Sequence, residues 1–139
     1  MSAKDRNIQQ QRAAYALKKV QAVVANQNED VQKRFKAYSN SLPAMIQMNG
    51  IGQAMAFAYQ KSNGSNKNEA TGWTLLFGVV ADWLLKERNL WGNAKPDLMR
   101  AITEGSQEEY QLAQVETQAL LSWVKDFARA EISGEPEGD

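Results

Sequence analysis

Apolar positions recur at helical spacing along almost the whole chain, and no stretch sustains the strict alternation of a half-buried strand. Ile8, Tyr15, Ala16, Val20, Val23 and Val24 predict a first helix from about Lys4 to Ala25. Lys18 lies away from that stripe, while Arg12 and Lys19 border it with apolar stems that can lie along it. Asn28 suits the N-cap of a second helix, with Glu29 and Asp30 favourable in its first turn. There Val31, Phe35 and Tyr38 mark the apolar face, and Lys33, Arg34 and Lys36 fall on the predicted solvent side. Ser41 is expected to cap a separate short segment, with Pro43 tolerated in its first turn and Gly50 ending it. A further helix follows from about Gly52 to Ser62.

Residues 62–68 read as a flexible loop. Asn66, with Glu69 three residues later, caps a helix to about Arg88 that is apolar on most faces and therefore predicted at the centre of the bundle. Trp91-Gly92-Asn93 is a turn, and Pro96 and Asp97 start a short helix ending near Gly105. Ser106 and Glu109 form a capping box for the last helix, whose seam of Tyr110, Ala113, Thr117, Leu120, Val124 and Phe127 steps by threes and fours. The predicted fold is all-α: a compact helical bundle of about five to six helices, one domain over residues 1–132. Ser133 to Asp139 has glycine, proline and acids without an apolar side chain, and is expected to be a disordered acidic tail.

The 139 residues are enough for one core without covalent staples. Cysteine and histidine are both absent, which removes disulfides, thiolate metal sites, histidine bases and histidine–carboxylate di-metal centres. No metal or other cofactor is expected. The polar start is not a signal peptide, and the apolar run from Leu75 to Leu85 is interrupted by Asp82 and too short to span a bilayer. A cytoplasmic location without membrane contact is the simplest expectation. Net charge is zero, but residues 1–68 carry ten Lys/Arg and three Asp/Glu, a balance of +7, and residues 69–139 carry six and thirteen, a balance of −7. The split fits one face for an anionic partner and another for a basic one; equally, it can disperse in three dimensions.

Two blocks hold the remaining signal. Residues 42–57 place Gly50 and Gly52 around Ile51, with uncharged amides at Gln47, Asn49 and Gln53. They read either as a helix–helix junction whose amides satisfy free backbone groups or as an uncharged partner-contact surface. Met45, Met48 and Met55 fit core filling better than adaptable docking. Residues 115–130 align Gln118, Ser122, Lys125 and Arg129 in one stripe, either a solvated face or a phosphate-binding one. Lys18, Lys19, Lys33, Arg34 and Lys36 would merge into one basic patch if the first two helices pack side by side. Glu104, Glu108, Glu109 and Glu116 are the only candidates for enzyme chemistry. Glu109 and Glu116 share a face, but Glu109 is already explained as a cap, so no catalytic residue is assigned.

Together the blocks resemble the small helical subunit of the Cmr-type (type III-B) CRISPR effector complex. The resemblance rests on Leu42, Pro43, Asn49, Gly50, Gly52, Gln53, Ala54 and Phe57, then on Thr117, Ala119, Leu120, Trp123, Lys125, Phe127 and Ala128, within blocks covering about a quarter of the chain. It implies a non-catalytic bundle, present in several copies along the inside of a helical ribonucleoprotein. Its partners would be the repeated backbone subunit, neighbouring copies of itself, and paired guide and target RNA held through the backbone in antiviral defence. On that basis Lys18, Lys19, Arg34, Lys125 and Arg129 are the expected RNA contacts, and Gln47, Asn49 and Gln53 the expected partner contacts. A helical protein–protein adaptor outside RNA biology explains the neutral charge and methionines equally well.

Overall fold

The computed structural model describes residues 6–93 and 97–136. They form α1 (Ile8–Asn26), α2 (Glu29–Ser62), α3 (Lys67–Asp82), α4 (Leu98–Glu104) and α5 (Gln107–Glu131), with one wide π turn, Trp83–Glu87, extending α3. No strand occurs among the described residues, so the fold is all-α as predicted. Asn7, rather than a residue near Lys4, starts α1. Its side chain accepts from the Gln10 amide and its own amide donates to the Gln10 side chain, a complete capping box. Lys4 and Pro96 lie outside the described residues.

The largest departure from expectation is in α2. Ser41 opens no new segment: its hydroxyl donates back to the Tyr38 carbonyl, and the helix runs on through Pro43. Phe35, Ser39, Leu42 and Ile46 share one buried face, and that burial outweighs the helical hydrogen bond lost at Pro43. The break comes instead at Gly50, where φ is +85° and ψ 160°, a conformation essentially confined to glycine. The break deprives the following amides of helical acceptors, and α5 supplies them. Ile51 N–H donates to Gln114 Oε1 and Gly52 N–H to the Tyr110 hydroxyl, both at 3.0 Å. At Gly52 an added Cβ would sit 3.3 Å from the Tyr110 hydroxyl and 3.6 Å from Ile102 of α4, so the missing side chain permits this close packing.

α2 and α5, not α3, share the central place: α2 packs on α3, α4 and α5, and α5 packs on α1, α2, α4 and the π turn. α3 leaves Thr74 and Gly78 exposed on its far side. Its other face stacks Trp73 on Tyr38 at 4.2 Å between ring centres, with Phe57 edge-on to Trp73. Gly72 accepts Arg34 and Tyr38 so closely that a Cβ would lie 2.9 Å from the Tyr38 ring.

One ionic cluster ties α1, the π turn and α5 together. Glu116 is buried and takes two hydrogen bonds from Arg12, at 2.9 and 2.8 Å, and one from the Trp83 indole at 2.8 Å. Arg88 stands 3.7 Å away. Burial pushes the Glu116 carboxyl up, but the bonds from Arg12 and Trp83 and the charges of Arg12 and Arg88 outweigh it, and the group is held below its ordinary 4.5.

Glu116→Gln is expected to cost roughly 2–3 kcal/mol at pH 7 by leaving Arg12 without its counter-charge. A lowered folded-state pKa contributes stability that is present above 4.5 and lost as pH falls through the folded value. The gap between wild type and variant, read by urea denaturation, therefore narrows as pH falls below 4.5. Gly50→Ala forces a side chain into the positive-φ break, 2.7 Å from the Tyr110 hydroxyl, and should cost about 2–3 kcal/mol. Gly78→Ala, whose Cβ would meet nothing within 4 Å, should add about 0.5–1 kcal/mol in the same assay.

Candidate nucleic-acid interface

Three contacts fix how α2 and α5 lie together. Lys36 Nζ donates to the Ile132 carbonyl at 3.1 Å, Gln118 Nε2 to the Pro43 carbonyl at 2.9 Å, and Gln114 accepts from Ile51. As α2 advances from 36 to 51, its partners recede from 132 to 114, so the first part of α2 is antiparallel to α5. The seam between them changes character along its length. At one end Lys36, Ala37, Asn40, Arg129 and Glu135 line a cavity of about 290 Å³. Lys125 and Ser122 follow on the same face of α5, one turn apart, and reach Gln118. The side chains that line the opposite end are uncharged. Met48 is 82% exposed, Val115 67%, and Gln107, Tyr110, Gln111, Gln114 and Val115 line a broad hollow.

The expected site residues fall in four places. Arg129 is exposed and Lys125 half-buried, both on the basic half of the seam. Gln47, one turn beyond Pro43, extends the seam toward its uncharged half, where Asn49 and Gln53 flank the Gly50 break; all three amides are exposed. Lys18 and Lys19 lie elsewhere, in a hollow shared with Arg6, Tyr15, Asp82 and Glu87. Lys19 Nζ is 3.8 Å from Asp82 and 5.3 Å from the centre of the Tyr15 ring. The basic residues of the first two helices thus separate instead of merging: Lys18 and Lys19 line one hollow, Lys36 lines another, and Arg34 lines neither.

Arg34 requires a correction. It was expected on the solvent side, but its side chain is buried against Gly72. Its Nε donates to Asp30 at 2.9 Å and its Nη1 to the Tyr38 hydroxyl at 3.4 Å. Those partners, Asp30 foremost, raise its pKa despite burial. The reason is the aromatic layer: Gly72 leaves room for the arginine stem beside Tyr38 and Trp73, and Asp30, one turn earlier, supplies the counter-charge.

Sequence reasoning missed Tyr110 and Gln114 as the caps of the second part of α2. It grouped Lys33 and Lys36 with the basic residues without assigning them a role. It also read Glu116 only beside Glu109. Here Glu109 accepts from the Ser106 amide as half of a capping box, and Glu116 is the buried anion described above. No group of three or more acidic residues gathers as a metal site among the described residues.

Residues 8–131 match the family model of a CRISPR-associated protein, Cas_Cmr5. The chain belongs to that family. It is therefore a CRISPR-associated Cmr subunit, with other Cmr subunits as its partners. The match spans α1 to α5 and takes in both the Gly50 break and the α2–α5 seam. Among the described residues no helix is long and apolar enough to cross a membrane.

Arg34→Ala is expected to lower stability by about 1–3 kcal/mol through the lost stem packing and the lost ion pair with Asp30. Thermal melting should register that loss. Target-RNA affinity of the assembled complex, measured well below the melting range, should stay unchanged; a selective loss of affinity would restore Arg34 to the RNA-contact set.

Proposed function

We propose that the chain is a non-catalytic small subunit of a type III-B effector that stabilises the assembly and holds paired guide and target RNA through the backbone, in the cytoplasm, as part of antiviral defence. The observation that carries this reading is the two-part seam of α2 and α5. Its basic half, with Lys36, Lys125 and Arg129, offers point charges to phosphates without groups arranged to read bases. Its uncharged half, with Gln47, Met48, Asn49, Gln53 and Val115 exposed, suits contact with the repeated backbone subunit or a neighbouring copy, where charged groups are disfavoured at the centre of an interface. Lys18 and Lys19 form a second, weaker candidate contact, because Lys19 already neighbours Asp82. The absence of histidine and cysteine and the partnered state of Glu109 and Glu116 support a role without catalysis.

The test is the double variant Lys125→Ala/Arg129→Ala in the assembled complex. Target-RNA affinity should fall, and the slope of log affinity against log salt should drop by about one to two, as expected for two lost phosphate contacts. Subunit composition should be unchanged. Unaltered affinity and slope would leave the protein-contact half alone standing, and with it a pure assembly adaptor.

A further inference from the structure

The basic end of the seam is already occupied by an anion from the same chain. Ile132 is buried and anchors the end of α5. Beyond it Gly134, at φ +80°, turns the backbone over the Lys33 stem, where an added Cβ would lie 3.3 Å from Lys33 Cε. The turn brings the Glu135 carboxylate to 3.7 Å from Lys36 Nζ and into the cavity lined by Lys36, Asn40 and Arg129. The Lys36 side chain is only 13% exposed as a result, with its ammonium also bonded to the Ile132 carbonyl.

We propose that Lys36 and Arg129, with Asn40 beside them, form a binding site for an RNA backbone phosphate, and that Glu135 fills this site as an internal substitute until RNA displaces it. The proposal rests on the RNA-holding reading above and adds both a place and a competitor to it. Two features favour exchange. Ser133, Gly134 and Glu135 are exposed, so moving them uncovers no core. The Lys36–Glu135 contact is long, and Glu135 is itself 75% exposed, so the pair is weak and readily screened. The sequence continues with two further acids, Glu137 and Asp139, within the next four residues.

The segment would therefore set a threshold. One isolated subunit binds RNA poorly, whereas a row of subunits along a continuous backbone displaces each segment by effective concentration. Non-specific capture of cellular RNA by the free subunit is suppressed, while the assembled complex retains its grip.

The experiment uses the full-length chain with Glu135→Gln, Glu137→Gln and Asp139→Asn, and a 30-nucleotide oligouridine as probe at low salt. Affinity of the free subunit should rise about two- to tenfold over wild type, and the difference should vanish toward 1 M salt as the charges are screened. Adding Lys36→Ala and Arg129→Ala should abolish the gain. A charge-matched control, Glu69→Gln/Glu104→Gln/Glu108→Gln, changes net charge by the same amount away from the cavity and should gain less than half as much. The proposal is overturned by no gain, by a gain that survives loss of Lys36 and Arg129, or by an equal gain in the control. Failure here together with a clear effect of Lys125→Ala/Arg129→Ala in the complex sinks the internal competitor alone. Failure of both sinks the RNA-holding reading as well.

Discussion

Two side chains of α5 complete the backbone of α2. Where Gly50 breaks the helix, the Ile51 and Gly52 amides find acceptors in Gln114 and Tyr110, and the direction of everything after the break is set by that pair of bonds. A helix start normally draws its first acceptors from its own cap residue. Here they come from an element some sixty residues away in sequence, so the turn of α2 and the docking of α5 are one event. The second part of α2 then meets α3, through Phe57 and Trp73, and α4, through Gly52 and Ile102. The bonds at the break, together with those of Lys36 and Gln118, hold the two helices at the register that gives the seam its basic and uncharged halves.

The cations divide by burial into two kinds. Arg12 and Arg34 sit on buried or half-buried carboxylate partners and belong to the architecture. Lys125 and Arg129 remain at the surface on one face of α5. The difference follows from what surrounds each side chain and not from its place in the chain. Arginine suits the first kind, because its guanidinium can satisfy a carboxylate with two parallel bonds, as Arg12 does with Glu116.

Much of this was legible in the sequence, and the remainder failed for identifiable reasons. The caps at Asn28, Asn66 and Ser106 were read correctly because capping is local chemistry within four residues. Gly50 was recognised as an interruption for the same reason. Pro43 was given too much weight: a proline within a helix is costly, but Leu42 and Ile46 bury enough surface to carry the helix past it, and that depends on neighbours no local window contains. Arg34 was misplaced because its burial needs the gap at Gly72, thirty-eight positions later. The Lys125–Arg129 stripe was visible as a helical period, whereas its junction with Lys36 depends on the antiparallel course of α2 and α5.

The dependence of α2 on α5 also has a temporal side. During synthesis the chain emerges from its N-terminus, and a domain's early segments can settle before its late ones exist. The part of α2 before the break carries its own cap at Asn28 and can form early. The part after it lacks acceptors for its first amides until Tyr110 and Gln114 have left the ribosome. The nascent chain therefore passes through a stage in which the segment after the break, Gln53 and Phe57 included, has no fixed direction. Only completion of the last helix closes that window, so the surface offered to other subunits becomes defined at the moment the domain is whole.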